Sequence, residues 1–388
     1  MDKRIPTTIL AAALLSASCL TLPQPEPREE RTAPAQDSSF VEKGKSTPPD
    51  TARIEPPADT VSVPETPPDT TKRSAPEPPP VEEMEQELMH IPSGNYSGIA
   101  YIGQNADSTY RFAVVDDKSP GGGLFWLDIA IAADGTIDGT TARITPLPGT
   151  KEGTKRPDNE DVVFDGATFW VASEGDQHIR QYDMNGRPTG DEMDVPEEMS
   201  TEHIHKNRGF EALAYDAGRR LFWAATEMPL IDEPDTMRHA LQSFTADGRP
   251  DKRYCYRRDT PKVTATESDI YVHGISGMTV LPSGKLIIME REVHVPETFA
   301  DGHSWTKLYE ITGLDHASGT LAKKLLLEFD TGLDGLLPIL ANYEGICVGP
   351  TLGGRQTLVL ISDSQGGMES IVGFRVPMDF IKIIFVNN

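Results

Sequence analysis

Cysteine is nearly absent from this chain: 388 residues carry three, Cys19, Cys255 and Cys347. Three thiols cannot staple a disulfide scaffold, so a hydrophobic core must hold the fold. Cys255 and Cys347 could pair in an oxidising compartment; two buried free thiols fit as well. Long apolar runs are also missing, and none reaches the roughly 18 residues of a spanning helix. Positive charge is in deficit, with 36 Lys and Arg against 60 Asp and Glu and a net charge of −24. That balance excludes a nucleic-acid partner, because counterion release needs clustered bases. It leaves cation binding open. Helical periodicity is scarce, and Glu82 to His90 is the best short candidate. Finally, the stretch from Leu20 to Glu85 has no Trp, no Tyr and one Phe, Phe40, yet holds fifteen of the 32 prolines. It cannot bury enough apolar surface to offset its ordering entropy and is expected to be disordered.

The N-terminus has the form of an address. Lys3 and Arg4 precede an apolar and small-residue run from Ile5 to Ala17, too short to span a membrane. Leu15-Ser16-Ala17-Ser18-Cys19 resembles a bacterial lipoprotein cleavage box, with Leu15 one residue further from the Cys than usual. An ordinary signal peptide cut near Ala17 or Ser18 is the alternative. The expected organisation is a signal peptide over 1–18, a lipid on Cys19, a Pro-rich tether over 19–87 and one domain over 88–388. A lipid-anchored tether would hold a monomeric domain off a bacterial envelope membrane, periplasmic or outer. Fourteen acids and seven bases give residues 20–85 a charge of −7, the leader is +1, and −18 remains for the domain.

Inside the domain one pattern recurs five times: a short strand, a turn, then a strand ending in an acid. The first strands are Ser97–Tyr101, Glu160–Phe164, Glu211–Tyr215, Ser276–Val280 and Glu344–Val348. The second strands are Tyr110–Asp117, Ala167–Glu174, Arg220–Glu227, Lys285–Glu292 and Gln356–Asp363. Turn chemistry joins them, as at Asp165-Gly166 and Ser283-Gly284. The repeats step by 63, 51, 65 and 68 residues, longer than a minimal blade of about 40–45. An all-β β-propeller of five or six blades fits best; a β-sandwich would not explain the repeat. The run Phe380–Val386 is a candidate closing strand.

In a propeller, equivalent positions of the inner strands converge on one channel. The start of a first strand and the end of a second lie at the same end. Asp117, Glu160, Glu174, Glu211, Glu227, Glu290, Glu344 and Asp363 are therefore expected around one mouth. So many like charges must be protonated, paired with bases such as Arg208, Arg291, Arg156 or Lys206, or neutralised by a hard cation. Ca²⁺, with six to eight oxygen ligands, suits such a set. His273 is a candidate general base at that mouth, or a core histidine. His203 and His205 could share a strand face and hold a transition metal, or be surface histidines. Arg238-His239 lacks the following Gly of histidine acid phosphatases. No serine elbow or P-loop is present.

The blocks Pro157-Asp-Asn-Glu-Asp161, Asn207-Arg-Gly-Phe-Glu-Ala-Leu-Ala214, Gly274-Ile-Ser-Gly-Met278, Met289-Glu-Arg-Glu292 and Asn342-Tyr-Glu-Gly-Ile346, with Leu360-Ile-Ser-Asp363, resemble the bacterial phytase-like family named for the esterase-like activity of phytase. The likeness spans roughly residues 90–375. It departs at Glu160-Asp161, where the family tends to Glu-Gly. The resemblance implies a phosphoester or ester hydrolase acting on a small molecule. By analogy with β-propeller phytases it implies Ca²⁺ held by Glu160, Glu211, Glu227, Glu344 and Asp363, with Arg208 clamping a phosphate oxygen. Glu211, Arg208 and His273 are the expected catalytic group; Asp117, Glu174 and Glu290 complete the expected metal set. A ligand-binding envelope propeller without catalysis is the alternative.

Overall fold

The paired strands of each repeat become the inner half of a blade. The computed structural model describes residues 81–83, 89–90, 94–117, 123–150, 158–298, 301–314, 319–333, 340–363 and 380–387. The signal sequence, Cys19 and the tether up to residue 80 lie outside them. Two short strands come first, β1 (Val81–Glu83) and β2 (Met89–His90). The first blade is β3 (Tyr96–Gln104), β4 (Tyr110–Asp116), β5 (Leu124–Ile131) and β6 (Ile137–Pro146). The second is β7 (Asn159–Phe164), β8 (Phe169–Ser173), β9 (His178–Tyr182) and β10 (Pro188–Glu192). The third is β11 (Phe210–Asp216), β12 (Leu221–Thr226), β13 (Arg238–Thr245) and β14 (Pro250–Arg257). The fourth is β15 (Ile270–Val280), β16 (Leu286–Val295), β17 (His303–Thr312) and β18 (Ala322–Gly332). The fifth is β19 (Asn342–Val348), β20 (Gln356–Asp363) and β21 (Phe380–Val386), completed by β1. This is an all-β, five-bladed propeller. Every pairing within the blades is antiparallel, and β19 packs against β3 to close the ring.

The strands read as nearly continuous apolar runs because both faces of each blade are buried. Five clusters fill the gaps between neighbours. Phe112 and Leu127 meet Ile361 and Ile383 between the first and last blades. Val115 meets Phe169, Trp170 meets Phe222, Trp223 meets Met278, and Met289 meets Tyr343 at the other four. The outermost strand β10 is exposed throughout, as expected where nothing packs beyond it. Inner strands approach closely. A Cβ on Gly98 would fall 2.6 Å from Asp161 Cα, and one on Gly277 2.8 Å from the Glu344 carbonyl oxygen.

Several sequence expectations change here. The described ends of the stretch Glu82 to His90 are strand: Glu82 pairs with Phe385 and His90 with Phe380, across β21. A short polar helix is marginal alone, whereas the edge of β21 offers unpaired backbone groups. The ring therefore begins within the stretch read as tether. His203 and His205 lie in a loop rather than a strand, and His203 Nδ1 sits 2.8 Å from Asp232 Oδ2. Cys255 and Cys347 are free thiols, Cys347 within the core between the first and fifth blades.

Candidate metal centre at the channel mouth

Each inner hairpin contains the same irregularity. The register slips by one residue at Ser97, Glu160, Glu211, Ser276 and Glu344, the first residue of every repeat. Such a bulge leaves one residue unpaired and re-aims its side chain. Opposite the residue before each bulge stand Asp116, Ser173, Thr226, Glu290 and Ser362. The next residues are Asp117, Glu174, Glu227, Arg291 and Asp363. Four blades thus present an acid at this position and the fourth presents Arg291.

A cavity of about 100 Å³ lies at this end of the channel. Asp117, Glu160, Glu174, Glu211, Glu227, Glu344 and Asp363 line it, together with Arg208, Arg291, Asn207 and Asn342. All seven acids are buried. Two expected members do not join them. Glu290 faces the third blade, accepting from the Tyr256 hydroxyl, Lys323 Nζ (2.6 Å) and the Asp259 N–H (3.1 Å). The two-residue alternation of β16 puts it on the face opposite Arg291. His273 shares that other face, opposite Glu292, and Arg258 donates to its carbonyl. Burial and the Arg258 charge drive its imidazole down to about 3.

Arg291, 5% exposed, is the hub of the charges. It donates to Glu211 (2.9 Å), Glu227 (2.5 Å), Glu344 and the Asn342 side-chain oxygen (3.0 Å). Arg208 reaches Glu227 from the other side at 2.7 Å. Burial alone would raise the Glu227 carboxyl, but the two guanidiniums hold it below the usual range. Arg291 itself is held charged: burial opposes its charge, and Glu344, Glu227 and Glu211 overcome that. Elsewhere burial wins. Glu160 and Glu211 are pushed well above the carboxylate range by desolvation and by neighbouring acids. Glu174 rises to about 8 through burial and the Glu227 charge, although the Gly209 N–H donates to it at 2.7 Å.

Among the described residues two groups have metal-ligand spacing, with oxygens within 4.8 Å of one another: Asp117, Asp158 and Glu160, and Glu174, Glu211 and Glu227. The residues fit a hard cation. The donors are all oxygens, and the Glu160 carboxylate, buried and facing the cavity, has no hydrogen-bond donor among the described residues. Asp158 precedes β7 with φ +58°, and Asn207 precedes β11 with φ +53°. Asp and Asn are the non-glycine residues that adopt this left-handed backbone most readily.

Sequence reasoning missed Asp158 because it precedes the repeated strand. It chose Glu290 over Arg291 because it aligned the fourth repeat on an acid. Alignment on the hairpin turn finds the correct residue: five positions beyond Phe112, Phe169, Phe222, Leu286 and Leu358 lie Asp117, Glu174, Glu227, Arg291 and Asp363. The departure at Asp161 is also explained. Its carboxylate accepts from the Val162 N–H (2.8 Å) and the Leu213 N–H (2.7 Å), tying the second blade to the third.

Solved structures align with the chain at low similarity. The PQQ-bound aldose sugar dehydrogenase of Streptomyces coelicolor is 13% identical at TM-score 0.38, over 80% of this chain and 100% of that one. The nidogen/laminin complex is 11% identical at 0.32, over 71% and 78%. Hsv2 of Kluyvelomyces marxianus is 8% identical at 0.24, over 61% and 99%. At these scores the likeness carries no functional argument. No curated protein matches the chain. A family model does match, described as phytase-like, esterase-like activity of phytase, over residues 91–365. With the acids that line the channel all inside those limits, this chain belongs to the phytase-like family.

Proposed function

We propose that this protein is a metal-dependent hydrolase of phosphate esters or related esters, working with Ca²⁺. The observation that carries the reading is the imbalance in the cavity: among the described residues seven buried carboxylates face two guanidiniums, and Glu160 has no donor. Asp117, Asp158 and Glu160 would hold the ion. Glu344 and Asp363 extend that oxygen set, and a second ion would take Glu174, Glu211 and Glu227. The first trio is preferred because Arg208 and Arg291 already serve the second. When bound, Ca²⁺ supplies charge neutralisation and acidifies a water ligand. Arg208 offers a planar fork for the oxygens of the substrate. With the second trio free of an ion, Glu211 and Glu174, both raised by burial, hold and move the proton that the leaving oxygen requires. His273 has no part in this scheme, since it faces away from the cavity.

The test is turnover of p-nitrophenyl phosphate, p-nitrophenyl acetate and phytate by the purified chain, with Ca²⁺ or with chelator. Calcium-dependent hydrolysis that Glu211→Gln abolishes is expected. No turnover on any ester with added Ca²⁺ would overturn the enzymatic reading. One observation favours a second reading, a calcium-stabilised binding propeller: among the described residues no Ser, Cys, His, Lys or Tyr lines the cavity. That reading requires Glu211→Gln to change the melting temperature only.

A lipid anchor at Cys19, with the Pro-rich segment as tether to the bacterial envelope, belongs to the same proposal. Its support is the leader and the Cys box. Radiolabelled palmitate should enter the wild type and not Cys19→Ser.

A further inference from the structure

The cavity has a second half that the acids do not use. The hairpin β15–β16 is the longest inner hairpin, with strands of 11 and 10 residues. It runs past the ring position of Arg291 in strict alternation. Gly274 pairs with Arg291, Val272 with Val293, and Ile270 with Val295. Arg291 and the last four side chains line the cavity, and Leu340 joins them. The polar residues of the same strands are occupied on the other face. Tyr271 donates to Glu292 at 3.1 Å, and His294 Nε2 meets Asp269 at 3.2 Å. A continuous ladder therefore passes from a charged head site to a wall that is aliphatic among the described residues.

We infer that this wall is the substrate's specificity subsite: it seats a compact alkyl or acyl group on an ester whose polar head lies at Arg291, Arg208 and the acids. This rests on the hydrolase reading above and narrows it. A volume of about 100 Å³ is smaller than the roughly 150 Å³ cavity that holds benzene. One head group with a short chain fits it. The further charges of an inositol ring carrying several phosphates would lie against Val272, Val293 and Val295, which offer them no polar partner. The wall thus selects a monoester with a small apolar substituent over a polyphosphate.

Binding separates this from the parent reading. Calorimetry on the full chain with Ca²⁺ would compare inorganic phosphate with methyl, ethyl, propyl and butyl phosphate. A parallel series would run from acetate to valerate. Affinity should rise roughly fourfold per methylene until the wall is filled. Val272→Thr with Val293→Thr should flatten the slope while leaving inorganic phosphate or acetate unchanged. If phosphates fail to bind but carboxylates show the slope, phosphate recognition is wrong and the wall stands. Equal affinity along both series, a slope that survives in the double variant, or no binding of either series overturns the inference.

Discussion

Removing the Arg291 guanidinium would leave Glu211, Glu227 and Glu344 facing one another in a buried site. Breaking a buried ion pair from one side costs about 3–5 kcal/mol. Arg291→Met should therefore lose about that much in denaturant titrations under chelation, and Ca²⁺ should restore part of it. Glu160→Gln works in the opposite sense. It keeps the shape and removes a buried charge crowded by Glu211, Glu174, Asp117 and Glu344. The metal-free variant should be at least as stable as wild type, while its Ca²⁺ affinity, read by calorimetry, falls tenfold or more. His239 and His273 are both driven down to about 3, first by burial and then by Arg258. Their folded values lie below the unfolded one, near 6.5. The unfolded chain binds the extra protons as pH falls from about 6.5 toward 3, so stability is lost in that window. His239→Gln should make a pH series of melting temperatures shallower between pH 6 and 4.

At the scale of elements, the shared bulge and the closing strand matter most. β21 packs Ile381, Ile383 and Phe385 into one interblade core and Phe380 and Ile384 into another. It also carries β1 and β2. Yet the family match ends at residue 365, so the strand that closes the ring lies beyond it. Deleting residues 379–388 should open the fifth blade, with loss of cooperative thermal unfolding and aggregation in size-exclusion runs. The strands themselves were legible: the alternation of apolar runs and Gly turns places nearly every inner hairpin. Bulges were not, because a one-residue slip leaves no trace in composition. The alternation of β16 beyond that slip decides between Glu290 and Arg291.

Across the whole molecule, the acid-lined mouth sets how stability depends on cations. Glu160 and Glu211 titrate well above the carboxylate range and Glu174 near 8 in the folded chain, against about 4.3 when unfolded. The native state binds more protons in that interval, so its stability should fall as pH rises from about 4.5 to 8 under chelation. Saturating Ca²⁺ at about 100 times its Kd should contribute about 2.7 kcal/mol. For a domain of this size that is roughly 5 °C in melting temperature, greatest near pH 8. A calcium-independent melting curve at pH 8 would refute ion binding in the channel.

The sequence by itself determined the five repeats, their strand character and the acids at their ends. Those features are local, written in two-residue alternation and turn chemistry. It also marked off the Pro-rich N-terminal stretch by its lack of aromatics. Only the tertiary structure decided that the ring has five blades, that Val81–Glu83 belongs to the last of them, and that Arg291 sits among Glu211, Glu227 and Glu344. The physical reason is convergence: residues 50 to 80 positions apart meet at one mouth, and which of them meet depends on register and ring closure.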